Sequence, residues 1–206
     1  MEDRIMSEIL NKILYDPLSY MSPQRLRLNQ NFISTPLCRS VVNDLIIDFF
    51  HLDCSDTEIN IHDIFWLHHW YYLPQVAYLI GCHMNKEGLM LRGRILQVPD
   101  WARKYLKNAG SYSQKLSLPL PEQSFHTCII TMGYSGLLEY KERLSPSLKQ
   151  RFSLSFPDCV DSAEATFTVN PYILRVIIRY VTENKTTLSF DMDRWSPVEA
   201  RNGRFE

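Results

Sequence analysis

The sequence has little of several features that mark common classes of protein. Only 7 of its 206 residues are glycine, which argues against a glycine-rich all-β fold or a low-complexity chain. The formal net charge is −1, whereas a dedicated nucleic-acid binder usually carries a strong basic excess. The 5 cysteines are widely spaced and form no CxxC pair, which favours reduced thiols in a cytosolic protein over a disulfide framework.

Sequence motifs for cofactors and metals are also missing. The chain contains no GxGxxG, no GxxxxGK[ST] and no HExxH, so neither a dinucleotide fold, a P-loop nor a zinc-protease helix is indicated. Zinc sites need three or four convergent ligands, and the histidines show no such spacing. We therefore expect no cofactor and no metal. The first ten residues lack a basic segment followed by an apolar one, so no signal peptide is expected.

Residues 64–85 carry no aspartate, glutamate, lysine or arginine, and this stretch is long enough to cross a bilayer. It nevertheless contains His68, His69, Pro74, Gln75 and His83, and polar groups are costly in hydrocarbon. Its tyrosines lie in the middle rather than at the edges, where aromatic belts form. A segment that is apolar on most sides without spanning a membrane indicates a central, well-covered helix.

Periodicity and helix-start signals predict a mostly helical chain. Helices are predicted at 3–15, after Thr35-Pro36, at 60–73, 74–85, 87–97 and 98–110, and after Ser145-Pro146 and Asn170-Pro171. Residues 125–138 fit a strand or a helix equally well, and residues 164–169 (EATFTV) predict a short strand. The predicted fold class is mainly α, a single compact multi-helix domain over residues 1–184 with at most a small β element. The loop at 111–123 can separate two subregions, and the tail at 185–206 is expected to be partly disordered.

The clearest amphipathic helix begins after Thr35, a candidate N-cap, with Pro36 at the first helical position. Leu37, Val41, Leu45 and Phe49 form one apolar stripe, while Arg39 and Asn43 fall on another face. The basic clusters elsewhere are interpreted as solvated faces: Arg25/Arg27, Arg92/Arg94 and Arg103/Lys104/Lys107.

One stretch invites comparison with a serine nucleophile. The segment TMGYSGLL places Ser135 between glycines, but the G-x-S-x-G motif needs its second glycine one position later. His83, His126 and Asp100 are the candidate triad partners, although nothing in the sequence ties them to Ser135. A stand-alone cytosolic serine hydrolase therefore stays open as an alternative function.

Four stretches occur in order along the chain and resemble a known family. They are YDPLSYMSPQRL (15–26), LPQVAYLIGCH (73–83), VPDWA (98–102) and GYSGLLEYKERLSPSLKQRFSLSFP (133–157). Together they are similar to the OrgA/MxiK family, also called SctK, of bacterial type III secretion systems. The resemblance covers roughly residues 10–160 and does not include the part of the chain from about Asp161.

The resemblance implies a non-enzymatic adaptor in the cytoplasmic sorting platform of the injectisome. Such a protein lies at the cytoplasmic face of the bacterial inner membrane. It links the forkhead-associated-like cytoplasmic domain of the inner-membrane ring protein SctD to the pod protein SctQ, and possible contact with the spoke protein SctL follows from the same arrangement. No nucleic acid, direct membrane insertion or cofactor is implied. A regulatory binding module outside secretion is a third interpretation.

The family-like motifs also suggest roles for individual residues. The structural motif positions are Asp16, Pro17, Tyr20, Pro23, Leu73, Pro74, Gln75, Tyr78, His83, Gly133 and Tyr134. Residues 66–83 are expected to form a core hairpin or kinked helix, with Leu73, Val76, Leu79 and Ile80 buried and Pro74 at the kink. Because interface anchors are often aromatic or arginine, the candidates for partner binding are Arg25, Arg27, Trp101, Arg103 and Tyr105.

Overall fold

Helices make up most of the part of the chain that the computed structural model describes, which is residues 2–26, 33, 35–55, 59–110 and 125–184. The α-helices are α1 (Glu2–Tyr15), α2 (Pro36–Phe49), α3 (Ile61–His69), α4 (Leu73–Met84), α5 (Lys86–Met90), α6 (Asp100–Asn108), α7 (Phe125–Ser135), α8 (Leu138–Glu142), α9 (Pro146–Phe152) and α10 (Pro171–Glu183). Short 3-10 helices occur at Pro17–Ser19, Trp70–Tyr72, Leu91–Gln97, Ser153–Ser155 and Asp158–Val160. The predicted mainly α fold class is confirmed. The predicted loop at 111–123 and the tail at 185–206 lie outside the described residues.

Capping residues explain where several helices begin. The Thr35 side chain accepts a hydrogen bond from the Cys38 N–H at 3.2 Å, and Asn170 accepts one from the Tyr172 N–H at 2.8 Å. Ser145 precedes α9, but its hydroxyl makes no capping bond. Instead, its backbone N–H donates to the buried carboxylate of Asp63 at 2.9 Å, which joins the start of α9 to the first turn of α3.

The second half of the uncharged stretch, helix α4, forms the centre of the body, whereas Ile64, Phe65 and Tyr71 in its first half are exposed. A 3-10 turn at Trp70–Tyr72 separates α3 from α4, and Pro74 lies in the first turn of α4, where its missing N–H costs no helical bond. Leu73, Val76, Leu79 and Ile80 are fully buried, so the expected core residues are confirmed. Helix α4 packs against α5, α6, α7 and α10, which is why nearly all of its side chains are buried.

Helices α4 and α7 approach each other unusually closely at two glycines. A Cβ atom added to Gly81 would overlap the backbone carbonyl of Ile129, and one added to Gly133 would overlap the carbonyl of Ala77. These contacts involve main-chain atoms, which cannot rotate away as a flexible side chain can. The most extensive helix–helix contact in the described chain therefore depends on the absence of side chains at these two positions.

Aromatic rings fill the space beside α4. Trp66 and Trp70 each meet the ring of Phe152 edge-on, with centroids 6.0 and 6.1 Å apart. Tyr134 packs edge-on against Phe156 at 4.9 Å, and its hydroxyl is hydrogen-bonded to Ser153 at 2.8 Å. Such edge-to-face pairs add to the free energy gained from burying the ring surface. The aromatic contacts connect α3 to α9 and α7 to the segment that follows α9.

Three local expectations differ from the structure or are refined by it. Residues 125–138, left open between strand and helix, contain α7. The strand predicted at 164–169 is wrong, because these residues are not part of a helix or strand and find no ladder partner in the described chain. Residues 87–97 form the end of α5 and a 3-10 helix rather than one α-helix.

Two histidine–tyrosine pairs lie at the edges of α4. Nδ1 of His83 is hydrogen-bonded to the Tyr105 hydroxyl at 3.0 Å, and Nδ1 of His126 to the Tyr78 hydroxyl at 2.9 Å. Burial lowers the pKa of His126 to about 4. Burial, with a smaller contribution from the positive charge of Lys86, also lowers the pKa of His83. Both imidazoles are therefore neutral in the folded protein near pH 7.

Replacing Gly133 by alanine should destabilise the protein strongly. The new methyl group would force α7 away from α4, and overpacking of this kind costs about 1–3 kcal/mol or more, which exceeds the gain of about 1 kcal/mol in helix propensity. Urea denaturation followed by circular dichroism measures the change. The matched control is Gly110→Ala, because a Cβ there meets no atom within 4 Å. Equal midpoints for the two variants would contradict the close-approach explanation.

The free energy of unfolding should fall as the pH drops from 6.5 to about 4. In that range the unfolded chain binds a proton at His126 that the folded protein does not bind, since the folded pKa is about 4 and the ordinary value 6.5. His126→Gln should reduce the loss of stability over this range by about 1–2 kcal/mol. The control is His68→Gln, at an exposed position on α3. An unchanged pH dependence in His126→Gln would show that this histidine does not titrate with unfolding.

Candidate interaction surfaces

The residues considered for hydrolysis do not form a catalytic site. Ser135 is buried, and its hydroxyl is hydrogen-bonded to the Met132 carbonyl at 2.8 Å and the Thr166 hydroxyl at 3.1 Å. Asp100 pairs with Arg103 on the surface of α6. Neither contact of Ser135 is with a base, so the arrangement contradicts the hydrolase alternative. Within the described ranges, no group of three histidine, cysteine, aspartate or glutamate side chains is placed to hold a metal ion.

The first family-like motif fastens the chain after α1 to α2. Both carboxylate oxygens of Asp16 accept from Arg39 at 2.9 Å, and one also accepts from the Asn43 amide at 2.8 Å. The Asn43 side-chain oxygen in turn accepts from the Leu18 N–H at 3.0 Å. This network holds the side of α2 that carries Arg39 and Asn43 against the body.

Other positions of this motif also have structural roles. Pro17 begins the 3-10 helix and is buried, and Tyr20 packs edge-on against Trp70 at 5.8 Å. Pro23 lies exposed in the turn that follows. The Ser22 N–H donates to the Leu154 carbonyl at 2.8 Å, which brings the motif to the segment after α9.

Arg25 is engaged within the chain rather than presented to a partner. Its guanidinium donates to both carboxylate oxygens of Asp161, at 2.5 and 2.8 Å, and to the carbonyls of Phe156 and Pro157, at 2.6 and 3.3 Å. Only 7% of the side chain is exposed. In this arrangement Arg25 joins the 15–26 connector to the end of the family-like region.

The other four candidates for partner binding differ in their exposure. Arg27 lies outside the described residues. Tyr105 is buried against His83, and Trp101 is half-buried, with its ring 5.7 Å from that of Tyr78 and its carbonyl accepting from the Tyr180 hydroxyl at 2.8 Å. Arg103 lies at a surface groove. Gln75 of the second motif is also buried, in α4.

Helix α2 presents its apolar stripe to solvent. Leu37, Val41, Leu45 and Phe49 are 75%, 50%, 60% and 77% exposed, whereas Asn43 and Ile46 are the buried residues of this helix. Much of the apolar surface of this helix therefore faces outwards, while Val42, Ile46 and Ile47 pack against the core. Asp44 and Asp48 are exposed beside the stripe, three residues after Val41 and Leu45. We call this acidic-edged apolar surface the α2 face.

A groove lies between the 3-10 helix Leu91–Gln97 and α6. Its volume is about 590 Å³, and it is lined by Met90, Ile95, Leu96, Asp100, Arg103, Lys104 and Lys107. Met90 and Leu96 are 48% and 74% exposed. The charged residues share one side of α6, because positions 100, 103, 104 and 107 repeat at helical spacing. We call this apolar surface with a basic rim the α6 groove.

The sequence alone did not predict either surface as a binding site, although it showed part of each. The α2 stripe was visible, but such a stripe usually faces a core, and only the partners of Arg39 and Asn43 show which side is covered. The α6 groove combines residues from two segments, so its apolar floor is not evident from α6 alone. The Arg103/Lys104/Lys107 cluster was the available signal for its rim.

None of the helices in the described part of the chain combines the length and the apolar character needed to span a membrane. No solved structure matches the chain significantly.

Comparisons with known proteins identify the family. A curated relative from Salmonella typhimurium (strain LT2), the oxygen-regulated invasion protein OrgA, is 34% identical over 182 residues, covering 87% of this chain and 90% of the relative. The protein MxiK of Shigella flexneri is 24% identical over 144 residues, covering 70% and 71%. The putative uncharacterized protein YgeO of Escherichia coli K12 is 31% identical over 129 residues, covering 63% and 92%.

The profile described as "Bacterial type III secretion apparatus protein (OrgA_MxiK)" matches residues 10–177. The match includes all four family-like motifs, the connector network of Asp16 and Arg25, and both candidate surfaces. The chain therefore belongs to the OrgA/MxiK family of bacterial type III secretion apparatus proteins.

Proposed function

We propose that this type III secretion apparatus protein is a non-enzymatic adaptor of the cytoplasmic sorting platform. It links the forkhead-associated-like cytoplasmic domain of the ring protein SctD to the pod protein SctQ, with the spoke protein SctL as a possible further contact. This role places it at the cytoplasmic face of the inner membrane, without insertion into the bilayer. Family membership supports a role in the secretion apparatus, and the surfaces support the more specific bridging role.

The observation that carries the proposal is the presence of two exposed apolar surfaces with opposite charges at their edges. The α2 face has an acidic edge, and the α6 groove has a basic rim. They belong to helices with different neighbours, since α2 packs against α1 and the 3-10 helix at Pro17–Ser19, while α6 packs against α4. A chain with two unlike surfaces can bind two unlike partners.

Rigidity between the two surfaces is the second requirement of a bridge. The close α4–α7 contact and the hydrogen bonds of Asp16 and Arg25 fix the intervening elements. A stable interface buries about 800 Å² on each partner, and smaller interfaces suit partners that exchange. Four exposed apolar side chains on α2 can serve as the centre of such an interface.

Bridging predicts that the ring domain captures SctQ only when this chain is present. The purified SctD cytoplasmic domain is immobilised, SctQ is added with and without the chain, and bound SctQ is quantified. The expected result is that SctQ binds the immobilised SctD domain only in the samples that contain the chain. Binding to neither protein at tens of micromolar, or mutually exclusive binding, would contradict the adaptor role.

The double variant Leu45→Asp/Phe49→Asp should lose one partner and keep the other. Both side chains are more than half exposed, so the substitutions leave the core intact, while a charge in an apolar interface weakens binding at least about tenfold. Tyr172→Asp, 75% exposed on α10, is the matched control. Interferometry with each partner separately measures the effect. Unchanged affinity for both partners would show that the α2 face binds neither of them.

A further inference from the structure

We propose that the α6 groove binds an acidic amphipathic helix supplied by a partner protein. This inference rests on the proposed function in one respect: it assumes that the partner is a protein of the secretion apparatus. The binding chemistry itself depends on the groove.

The positive charge at the rim favours a ligand with negative charge. Arg103, Lys104 and Lys107 lie against a single acid, Asp100, in a chain whose formal net charge is −1. Asp100 already pairs with Arg103. Lys104 and Lys107 are exposed, and the ion pairs found in the described chain do not include them. A ligand with carboxylates along one edge would therefore be drawn to the groove and oriented in it.

The apolar floor selects the shape of the ligand. Met90 and Leu96 are exposed, and Ile95 also lines the groove. The stretch of α6 from residue 100 to residue 107 rises about 11 Å, which matches about two turns of a docked helix. Apolar residues at spacings of i, i+3 or i+4, and i+7 would reach this floor while the acidic edge faces the lysines.

A second copy of this chain is the main competing occupant, because the α2 face is also apolar and acidic. The inner side of helix α2 packs against the 3-10 helix at Pro17–Ser19 and against α1, so only its outer half is available to enter a groove. A helix that is free of such packing, or loosely held in its own protein, can enter the groove more deeply. The observations therefore favour a partner helix over self-association.

The test uses two fluorescent 16-residue peptides with the same leucine spacing, one with glutamates on both flanks and one with lysines. Fluorescence anisotropy with the full-length chain is expected to show binding of the glutamate peptide, at least tenfold weaker binding of the lysine peptide, and weakening of the former by added salt. Lys104→Glu/Lys107→Glu and Leu96→Ser should each reduce glutamate-peptide binding about tenfold. Equal binding of both peptides, or no effect of either variant, would overturn the proposal.

The control variant is Lys12→Glu/Arg175→Glu, which makes the same change in net charge at exposed positions on α1 and α10. It should bind the glutamate peptide as the unmodified chain does. Sedimentation velocity is run on the same proteins. Concentration-dependent self-association that disappears in Lys104→Glu/Lys107→Glu would assign the groove to a second copy and overturn the partner assignment.

Assays with SctD and SctQ separate this inference from the proposed function. If Lys104→Glu/Lys107→Glu loses one of these partners and retains the other, both are supported. If the chain bridges the two proteins and the variant bridges them equally well, the adaptor role stands and the groove assignment fails. If the chain binds neither protein but still binds the glutamate peptide in the predicted way, the adaptor role fails and the chemistry of the groove stands.

Discussion

The contact of main-chain atoms between α4 and α7 is the constraint on which the rest of the structure depends. Gly81 and Gly133 let the two helices come closer than any side chain would permit. This contact covers α4 on one side, and α5, α6 and α10 cover it on others. Such coverage explains why residues 73–85 contain no formal charge, since an unpaired ion inside this body would be costly.

Polar side chains complete the body where helices alone do not. Arg151 is fully buried and donates to the carbonyls of Leu14, Asp53 and Ser147 at 3.0, 2.6 and 3.0 Å, which ties the end of α1 and the segment after α2 to α9. Asp16 and Arg25 similarly secure the 15–26 connector. The polar residues of the family-like motifs in these regions therefore act mainly within the chain.

The outward orientation of the α2 stripe follows from this internal polar network. Because Asp16 pairs with Arg39 and Asn43, the side of α2 that carries these residues and Ile46 is held inwards, and the stripe from Leu37 to Phe49 remains at the surface. Exposed apolar patches of this kind often mark protein–protein contacts. The hydrogen bonds of Asp16 in the connector to Arg39 and Asn43 of α2 therefore leave exposed the surface that we propose binds a partner.

Local patterns in the sequence were enough to predict most helices and the central position of α4. Thr35-Pro36 and Asn170-Pro171 define helix starts through capping and proline geometry, which act over a few residues. Periodicity also identified the α2 stripe, but it could not give the side that is covered, because that depends on Asp16, 23 residues before Arg39. The predicted strand at 164–169 failed for a related reason, since a strand needs a partner that no local pattern supplies.

The α6 groove shows the same limit of sequence interpretation. Its basic rim is local to α6, but its apolar floor comes from the preceding 3-10 helix and from Met90. Tyr105, considered as a surface anchor, instead faces the core because its position on α6 is opposite the rim. The direction in which each side chain leaves α6 therefore determines that Arg103 reaches the surface and Tyr105 does not.

The central claim is that two separate surfaces of one rigid helical body contact two different proteins. Photo-crosslinking in the assembled secretion apparatus tests it most directly, with a light-activated amino acid placed at position 49 on the α2 face or position 96 in the α6 groove. The account predicts crosslinks from the two positions to two different apparatus proteins, and little crosslinking from position 172 on α10. Crosslinks from both positions to the same protein, or to none, would contradict it.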